Sequence, residues 1–134
     1  MRLDFTSLKK AIASLDRAIQ RSQTAREDEE LRDAVIQRFE YTYELCWKML
    51  KRQLELESPN PALIDTLSFR DLLREAAQVG ILKDIESWMD YRQMRNITSH
   101  TYDDAKARSV YKAAIEFFDD ASALLKALET RDHD

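Results

Sequence analysis

Residues that break helices are almost absent from this chain, and their scarcity limits the folds open to it. The 134 residues include one glycine, Gly80, and two prolines, Pro59 and Pro61. Sheets built from short strands need many tight turns, in which glycine and proline supply the required backbone angles. Hydrophobic residues make up 44% of the chain, which suits a folded core rather than a disordered tail. The sequence therefore predicts an all-α protein with long helices.

The length of the chain fits one domain, which we place at residues 1–134, with a core large enough to need no disulfide. Cys46 is the only cysteine, and its position in an apolar run predicts a buried thiol. No apolar signal segment follows Met1, and no run is long enough to span a membrane. We therefore expect a cytoplasmic protein with no membrane association.

The spacing of apolar residues predicts four long helices and one short helix, arranged as an up-and-down antiparallel bundle. The first helix is expected to begin at Asp4 or Thr6 and to end near Gln23. The segment Thr24-Ala25-Arg26-Glu27 fits a capping box, in which Thr24 would cap a second helix that runs to about Glu57. The two prolines that follow end that helix.

Capping signals also divide the second half of the chain. Residues 58–67 are expected to form a mobile loop, after which Ser68 caps a short helix that ends at Val79, before Gly80. The charged end of the last helix, residues 129–134, is expected to fray. The next helix is expected to begin around Lys83 or Asp84. Asp103 or Asp104 can cap the last helix.

The second helix has an unusually wide apolar side, which covers an arc of roughly 220°. The remaining polar strip is marked by Glu40, Glu44, Lys48 and Lys51, whose order suits a side that faces solvent. Such a helix either lies at the centre of the bundle or buries an additional side against another chain. We favour a homodimer that forms through this helix.

The segment Arg95-Asn96-Ile97-Thr98-Ser99-His100-Thr101-Tyr102 gathers groups that bind or polarise phosphate. Arg95 is permanently charged and can donate two hydrogen bonds to phosphate oxygens. His100 titrates near neutral pH, so it can act as a general base or acid. Five residues on a regular helix separate two side chains by about 140°. Arg95 and His100 can therefore meet at one phosphate only if the helix distorts near His100 or a second subunit contributes.

The residues between them add further polar groups. Asn96 can orient the imidazole or the phosphate, and Thr98 and Ser99 can donate secondary hydrogen bonds to a substrate. This chemistry needs no metal or other cofactor, and we predict neither.

Two segments resemble the HEPN superfamily, and within it the nucleotidyltransferase substrate-binding proteins, which are helical partners of minimal nucleotidyltransferases. The first segment is Gln37-Arg38-Phe39-Glu40-Tyr41-Thr42-Tyr43-Glu44-Leu45-Cys46-Trp47-Lys48. The second is 95–102, which is similar to the Arg-x4-His-x-Tyr motif of paired toxin–antitoxin modules. The resemblance covers nearly the whole chain. It implies a helical bundle that dimerises, with the Arg and His side chains of both chains lining a shared cleft.

The resemblance also implies metal-independent RNA cleavage, with Arg95, His100 and Asn96 as catalytic residues. Tyr102 matches the position to which an antitoxin nucleotidyltransferase attaches AMP, and the added negative charge would repel RNA. Without the resemblance, the plainer interpretation of Tyr102 is an aromatic plug at a helix end.

Two main hypotheses follow from these observations. In the first, the chain is a homodimeric endoribonuclease toxin that its partner nucleotidyltransferase silences by AMPylation. In the second, it is the noncatalytic substrate-binding or nucleotide-binding subunit of a split nucleotidyltransferase. A third hypothesis is a helical bundle that serves only in assembly. We favour the first, because a substrate clamp has no evident need for a titratable histidine.

The charge pattern weighs against the first hypothesis. The formal net charge of −4 disfavours broad binding of nucleic acid, although it leaves room for a small basic site. Basic and acidic residues also alternate around the motif: Asp90, Arg92, Asp103, Asp104, Lys106 and Arg108.

Overall fold

The computed structural model describes residues 3–131, which form six α-helices and one short 3₁₀ helix. In chain order these are α1 (Thr6–Thr24), α2 (Glu29–Glu57), α3 (Pro61–Thr66), α4 (Phe69–Gln78), α5 (Ile85–Asn96), the 3₁₀ helix (Thr98–His100) and α6 (Asp104–Arg131). This part of the chain contains no β-strand, so the all-α prediction is confirmed. None of these helices combines the length and the apolar composition that a membrane span requires.

Contacts at the helix ends fix the directions of the long helices. Arg32, near the start of α2, lies 2.7 Å from Asp104 at the start of α6, and Glu57 at the end of α2 pairs with Arg131 at the end of α6. α2 and α6 therefore run parallel. α1 packs beside α2 after the short turn 25–28, and α5 packs beside α6 after the 3₁₀ helix, so each of these pairs is antiparallel. This is the predicted up-and-down bundle of α1, α2, α5 and α6.

α2 lies at the centre of the bundle and contacts every other helix of the described chain. Its buried side chains point in several directions: Val35, Ile36, Phe39, Thr42, Tyr43, Cys46, Met49, Leu50, Gln53 and Leu54. The central position of α2 in the bundle therefore explains its wide apolar arc within one chain. The homodimer stays a prediction. Cys46 is fully buried, as predicted, and burial raises the pKa of its thiol.

Aromatic side chains hold α5 against α2 and α6. The ring of Phe117 in α6 lies edge-on to Phe39 in α2 and to Trp88 and Tyr91 in α5, with centroid distances of 5.1, 5.7 and 5.2 Å. Aromatic pairs of this kind contribute about 0.5–1.5 kcal/mol each beyond the area they bury. The Tyr91 hydroxyl also donates a hydrogen bond to the Asp120 carboxylate of α6. These contacts fix α5 against the core and thereby determine the position of Arg95 and Asn96 at its end.

Most of the predicted caps are present. The Ser68 hydroxyl accepts a hydrogen bond from the Asp71 amide, and the Asp84 and Asp103 carboxylates cap α5 and α6 in the same way. Gly80 follows α4 with a φ of 85°, a conformation that glycine adopts without strain.

The predicted start of α2 is wrong. Thr24 is the last residue of α1, and its hydroxyl donates to the Arg21 carbonyl oxygen at 2.7 Å. The cap of α2 is Asp28, whose carboxylate accepts from the amides of Glu30 and Leu31. A carboxylate at this position also interacts favourably with the positive end of the helix dipole.

Two predictions of irregular structure are also corrected. The segment 58–67 contains α3, which begins at Pro61, where the missing amide hydrogen costs nothing, and which buries Ile64. Residues 129–131 continue α6 because Arg131 pairs with Glu57. Residues 132–134 lie outside the described part of the chain.

Candidate functional site

The helix distorts between Arg95 and His100, which is one of the two ways in which these side chains can meet at one phosphate. α5 ends at Asn96, and the Ile97 amide donates to the Met94 carbonyl oxygen at 3.1 Å. The His100 amide then donates to the Ile97 carbonyl oxygen at 2.9 Å. Both bonds span three residues instead of the four of an α-helix, so the backbone tightens into the 3₁₀ helix and redirects the side chains that follow.

Threonine hydroxyls stabilise this break in the helix. Thr98 Oγ1 donates to the Arg95 carbonyl oxygen at 2.8 Å, and Thr101 Oγ1 donates to the Thr98 carbonyl oxygen at 3.0 Å. Thr98 therefore has a structural role in addition to the substrate contact predicted for it. Ser99 is exposed on the same turn, and its substrate contact also stays a prediction.

Arg95 is anchored by a carboxylate from α2. Its Nε lies 2.7 Å from Glu44 Oε1, in an ion pair whose N–H direction falls outside good hydrogen-bond geometry. The other oxygen, Glu44 Oε2, accepts a hydrogen bond from Trp47 Nε1 at 3.2 Å. Within residues 3–131, the terminal nitrogens of Arg95 have no hydrogen-bond or ion-pair partner. The ion pair with Glu44 therefore holds the Nε of Arg95, and its two terminal nitrogens, Nη1 and Nη2, are available for an anion.

His100 and Tyr102 form an exposed pair on the turn before α6. Their ring centroids lie 6.2 Å apart with planes inclined at 69°, and Tyr102 is 87% exposed. The aromatic-plug interpretation of Tyr102 is therefore wrong, because the ring packs into no cavity. No described hydrogen bond or ion pair joins His100 to Arg95, so their convergence on one phosphate stays a prediction.

Arg95 and Asn96 line a pocket of about 310 Å³ between α2, α3, α4 and α5. Trp47, Phe69 and Arg92 contribute to its wall. In the sequence, Trp47 lies in the segment 37–48 that carries the family resemblance, and Phe69 directly follows the predicted cap Ser68. Trp47, Phe69 and Arg92 come together only because α4 and α5 pack against α2. The spacing of residues within one helix does not predict that packing.

Glu44 and Lys51 also line this pocket, contrary to the expectation that they mark a solvent-facing strip of α2. Glu44 pairs with Arg95, and Lys51 Nζ lies 2.6 Å from Asp65 Oδ1 of α3. The hydrogen bond to Asp65 raises the pKa of Lys51. Both side chains therefore form ion pairs with residues of other helices, and they do not pair with each other.

The basic residues around the motif differ in whether their charge is already paired with a carboxylate. The Arg92 guanidinium carbon lies 4.4 Å from the Phe69 ring centroid, a cation–π contact that leaves its charge uncompensated. Arg108 Nη1 instead lies 3.1 Å from Asp104 Oδ2, and Asp104 also pairs with Arg32. Within the described part of the chain, Arg92 and Lys106 have no ion pair, whereas the charge of Arg95 is paired with Glu44 and only its terminal nitrogens remain as donors.

Comparison with known proteins identifies the family. Residues 3–130 match the family described as "nucleotidyltransferase substrate binding protein like". The chain belongs to this family. A curated relative, "Probable ribonuclease HepT" of Haemophilus influenzae, is 48% identical over 96 residues, which make up 72% of this chain and 66% of the relative.

Solved structures confirm the fold. A Haemophilus influenzae protein, described as revealing the fold of a substrate-binding domain of a nucleotidyltransferase, superposes with a TM-score of 0.88 at 38% identity. That match covers 94% of this chain and 99% of the other. A Thermus thermophilus protein superposes with a TM-score of 0.73 at 30% identity, over 90% of this chain and 98% of its own.

Proposed function

We propose that this protein is a homodimeric, metal-independent endoribonuclease that works with a nucleotidyltransferase as its antitoxin. The observation that carries the proposal is the position of the Arg95-x4-His100-x-Tyr102 motif at the break between α5 and α6, where the distortion exposes His100 and Tyr102. The 48% identity to a probable ribonuclease supports the same reaction class. Family membership implies the nucleotidyltransferase partner.

The proposed reaction is an internal transesterification of RNA. His100 removes the proton of a ribose 2′-hydroxyl, whose oxygen attacks the adjacent phosphorus. The bond from phosphorus to the 5′ oxygen of the next nucleotide breaks. The proton that His100 took up passes to that oxygen, directly or through water, so that His100 regains its starting form. The products carry a 2′,3′-cyclic phosphate and a 5′-hydroxyl, so atoms and charges balance without a metal ion or an external oxidant.

Arg95 stabilises the charge that grows on the phosphate oxygens in the transition state. Glu44 holds the Nε of Arg95 and thereby restricts the guanidinium, which leaves the two terminal nitrogens to donate to the phosphate. Asn96 orients the phosphate or the imidazole, and Ser99 and Thr98 donate further hydrogen bonds. A second copy of the chain completes the cleft by contributing the same residues.

The partner nucleotidyltransferase silences the enzyme by transferring AMP to Tyr102. The exposure of this side chain supports the assignment, because its hydroxyl is accessible to another protein. The Tyr102 ring is also close to the His100 ring, so an attached AMP places a negative charge beside the histidine. That charge repels RNA phosphates and its bulk blocks access to His100.

The alternative is a noncatalytic subunit that holds a nucleotide or another acceptor for its partner enzyme. Two observations favour it. The Haemophilus influenzae structure that superposes on 94% of this chain is described as a substrate-binding fold. The pocket beside Arg95 is also a possible binding site that requires no catalysis at His100.

RNA cleavage in excess chelator distinguishes the two functions. The assay compares the wild-type protein with His100→Ala and Arg95→Ala, and uses Arg52→Ala, an exposed arginine of α2 outside the motif, as the matched control. We expect the wild type and Arg52→Ala to cleave, and each motif variant to lose at least about 100-fold in rate. Mass spectrometry first establishes that Tyr102 carries no AMP.

Absence of cleavage by folded, unmodified, dimeric wild-type protein would overturn the ribonuclease proposal. In that case, stimulation of nucleotide transfer on adding the partner enzyme would support the binding-subunit function.

A further inference from the structure

The pocket beside Arg95 combines aromatic walls with cationic groups. Trp47 and Phe69 are half-buried, with ring centroids 6.4 Å apart and planes at 82° to each other. The Arg92 guanidinium covers the Phe69 ring at 4.4 Å. The volume of about 310 Å³ is near the lower limit for small-molecule sites, roughly 300–1,000 Å³, so the pocket suits part of a nucleotide.

One side of this pocket carries the donors of two arginines, of which Arg95 has its charge paired with Glu44, another residue of the pocket wall. Within residues 3–131, Arg92 has no acidic partner, and the terminal nitrogens of Arg95 are unpaired. Lys51, in contrast, is paired with Asp65. Asn96 is exposed at the pocket and offers both a donor and an acceptor to a base edge. Aromatic faces that stack on bases, combined with arginines that bind phosphates, are typical of sites for single-stranded RNA.

A buried hydroxyl gives independent support for a ligand. Tyr43 contributes to the pocket wall and is 1% exposed, and its Oη has no hydrogen-bond partner among the described residues. Burial raises the pKa of this phenol, so the group stays protonated and remains a donor. A buried donor without an acceptor costs free energy, which a polar ligand group in the pocket would recover.

We propose that this pocket binds the base of one nucleotide of the RNA substrate, while Arg95 binds the phosphate of the same nucleotide. The inference deepens the proposed function and rests on it for the identity of the ligand. It makes Trp47 and Phe69 the aromatic walls of the base site. Because their planes lie at 82° to each other, one ring stacks on the base and the other meets its edge, with Arg92 as their cationic neighbour. The site therefore determines which nucleotide lies beside the scissile bond, a role separate from the chemistry of His100.

Equilibrium binding of three small probes tests the proposal on unmodified protein. The probes are AMP, adenosine, which lacks the phosphate, and ribose 5-phosphate, which lacks the base. Calorimetry gives the affinities. We expect AMP to bind more tightly than either fragment, because only AMP engages both the aromatic wall and the arginines.

Two variants of the wall test the location of the site. Phe69→Leu keeps an apolar side chain and removes one of the two aromatic walls, and we expect it to weaken AMP and adenosine by about tenfold. Phe118→Leu, which changes a half-buried phenylalanine of α6 away from the pocket, is the matched control and leaves binding unchanged. Arg92→Gln changes an exposed side chain, which leaves folding intact, and weakens AMP more than adenosine.

The outcomes distinguish failure of the base-binding proposal from failure of the ribonuclease proposal. His100→Ala is expected to stop cleavage and to retain AMP binding. Equal affinities for AMP and ribose 5-phosphate, or AMP binding that is unaffected in both Phe69→Leu and Arg92→Gln, would overturn the base-binding pocket even if the protein cleaves RNA. AMP binding that is lost in Phe69→Leu supports the pocket even if the wild type cleaves no RNA.

Discussion

At the scale of single residues, two tyrosines of one aromatic cluster differ in what their hydroxyl groups do. The rings of Tyr43 and Tyr91 both lie near Phe117, and both side chains are at most 4% exposed. The Tyr91 hydroxyl donates to the Asp120 carboxylate, whereas the Tyr43 hydroxyl has no acceptor within residues 3–131. The two hydroxyls therefore contribute differently to the stability of the ligand-free protein.

Removal of each hydroxyl gives a matched pair of stability measurements. Tyr91→Phe is expected to lower the free energy of unfolding by about 1.5–3 kcal/mol, because it deletes a hydrogen bond to a charged group. Tyr43→Phe is expected to leave the free energy of unfolding unchanged or to raise it, because no protein hydrogen bond is lost. Urea denaturation at neutral pH measures both. Equal losses in the two variants would show that the Tyr43 hydroxyl has an acceptor in the folded protein.

The sequence predicts some site residues and misses others for a physical reason. Arg95, His100 and Tyr102 lie within eight consecutive positions, so their spacing is visible in the chain itself. Glu44 lies about fifty residues earlier, and its position before Lys48 resembles that of an ordinary solvent-facing pair. Its contact with Arg95 exists only because α5 packs beside α2, and one sequence carries no direct signal of that packing.

At the scale of helices, the caps show where local sequence rules succeed. Ser68, Asp84 and Asp103 each cap the helix that was expected, because the side chain accepts from a free amide two or three residues later. Thr24 satisfies the same rule in sequence, but α1 continues through it and α2 starts after Asp28. The capping-box spacing at Thr24 does not show whether the preceding helix continues through that residue, so it missed Asp28 four residues later.

Substitution of Asp28, the observed cap, and of Thr24, the predicted one, measures the difference between them. Asp28→Ala removes an acceptor for two amides at the start of α2 and is expected to lower the free energy of unfolding by about 1 kcal/mol. Thr24→Ala removes only a bond to a carbonyl oxygen of its own helix, and we expect a change of less than about 0.5 kcal/mol. Thermal and urea unfolding of both variants test this order. A larger loss for Thr24→Ala would contradict the described start of α2.

At the scale of the whole molecule, an ion pair joins the ends of three helices. Arg131 at the end of α6 pairs with Glu57 at the end of α2, and its Nη1 donates to the Val79 carbonyl oxygen after α4 at 3.0 Å. The hydrogen bond from Arg131 lowers the pKa of Glu57. The frayed end predicted for residues 129–131 is absent because this distant partner stabilises the last turn. Local composition there, charged and polar, gives no sign of it.

The lowered pKa of Glu57 predicts a pH dependence with a definite sign. A carboxyl group whose pKa is lower in the folded state stabilises the fold above its unfolded value, about 4.3, and loses that contribution as the pH falls through the folded value. Glu57→Gln is therefore expected to lower the free energy of unfolding by about 0.5–1 kcal/mol at neutral pH. The difference from wild type shrinks below about pH 4.

Urea unfolding between pH 3 and 8 measures this effect, with Glu40→Gln, which has no described ion pair, as the control. A difference between wild type and Glu57→Gln that stays constant down to the lowest pH would contradict the role of the ion pair.

The bundle itself follows from the sequence because its signal is distributed over many residues. The repeat that predicts α6 consists of Val110, Ala114, Phe117, Phe118, Ala121, Leu124, Leu125 and Leu128. Six of these side chains are buried, and Phe118 and Leu125 are half-buried. The wide apolar arc of α2 is explained by its central position. It therefore gives no separate evidence for a second subunit, and the homodimer must be tested in solution.

The most direct test of the central claim, that His100 cleaves RNA through the ribose 2′-hydroxyl, uses two oligonucleotides of the same sequence. One is RNA, and the other carries 2′-deoxyribose at every position. Purified, unmodified wild-type protein in excess chelator is expected to cleave only the RNA and to leave 2′,3′-cyclic phosphate and 5′-hydroxyl ends, and His100→Ala is expected to cleave neither. Cleavage of the deoxy oligonucleotide, or of RNA by His100→Ala at the wild-type rate, would contradict the claim.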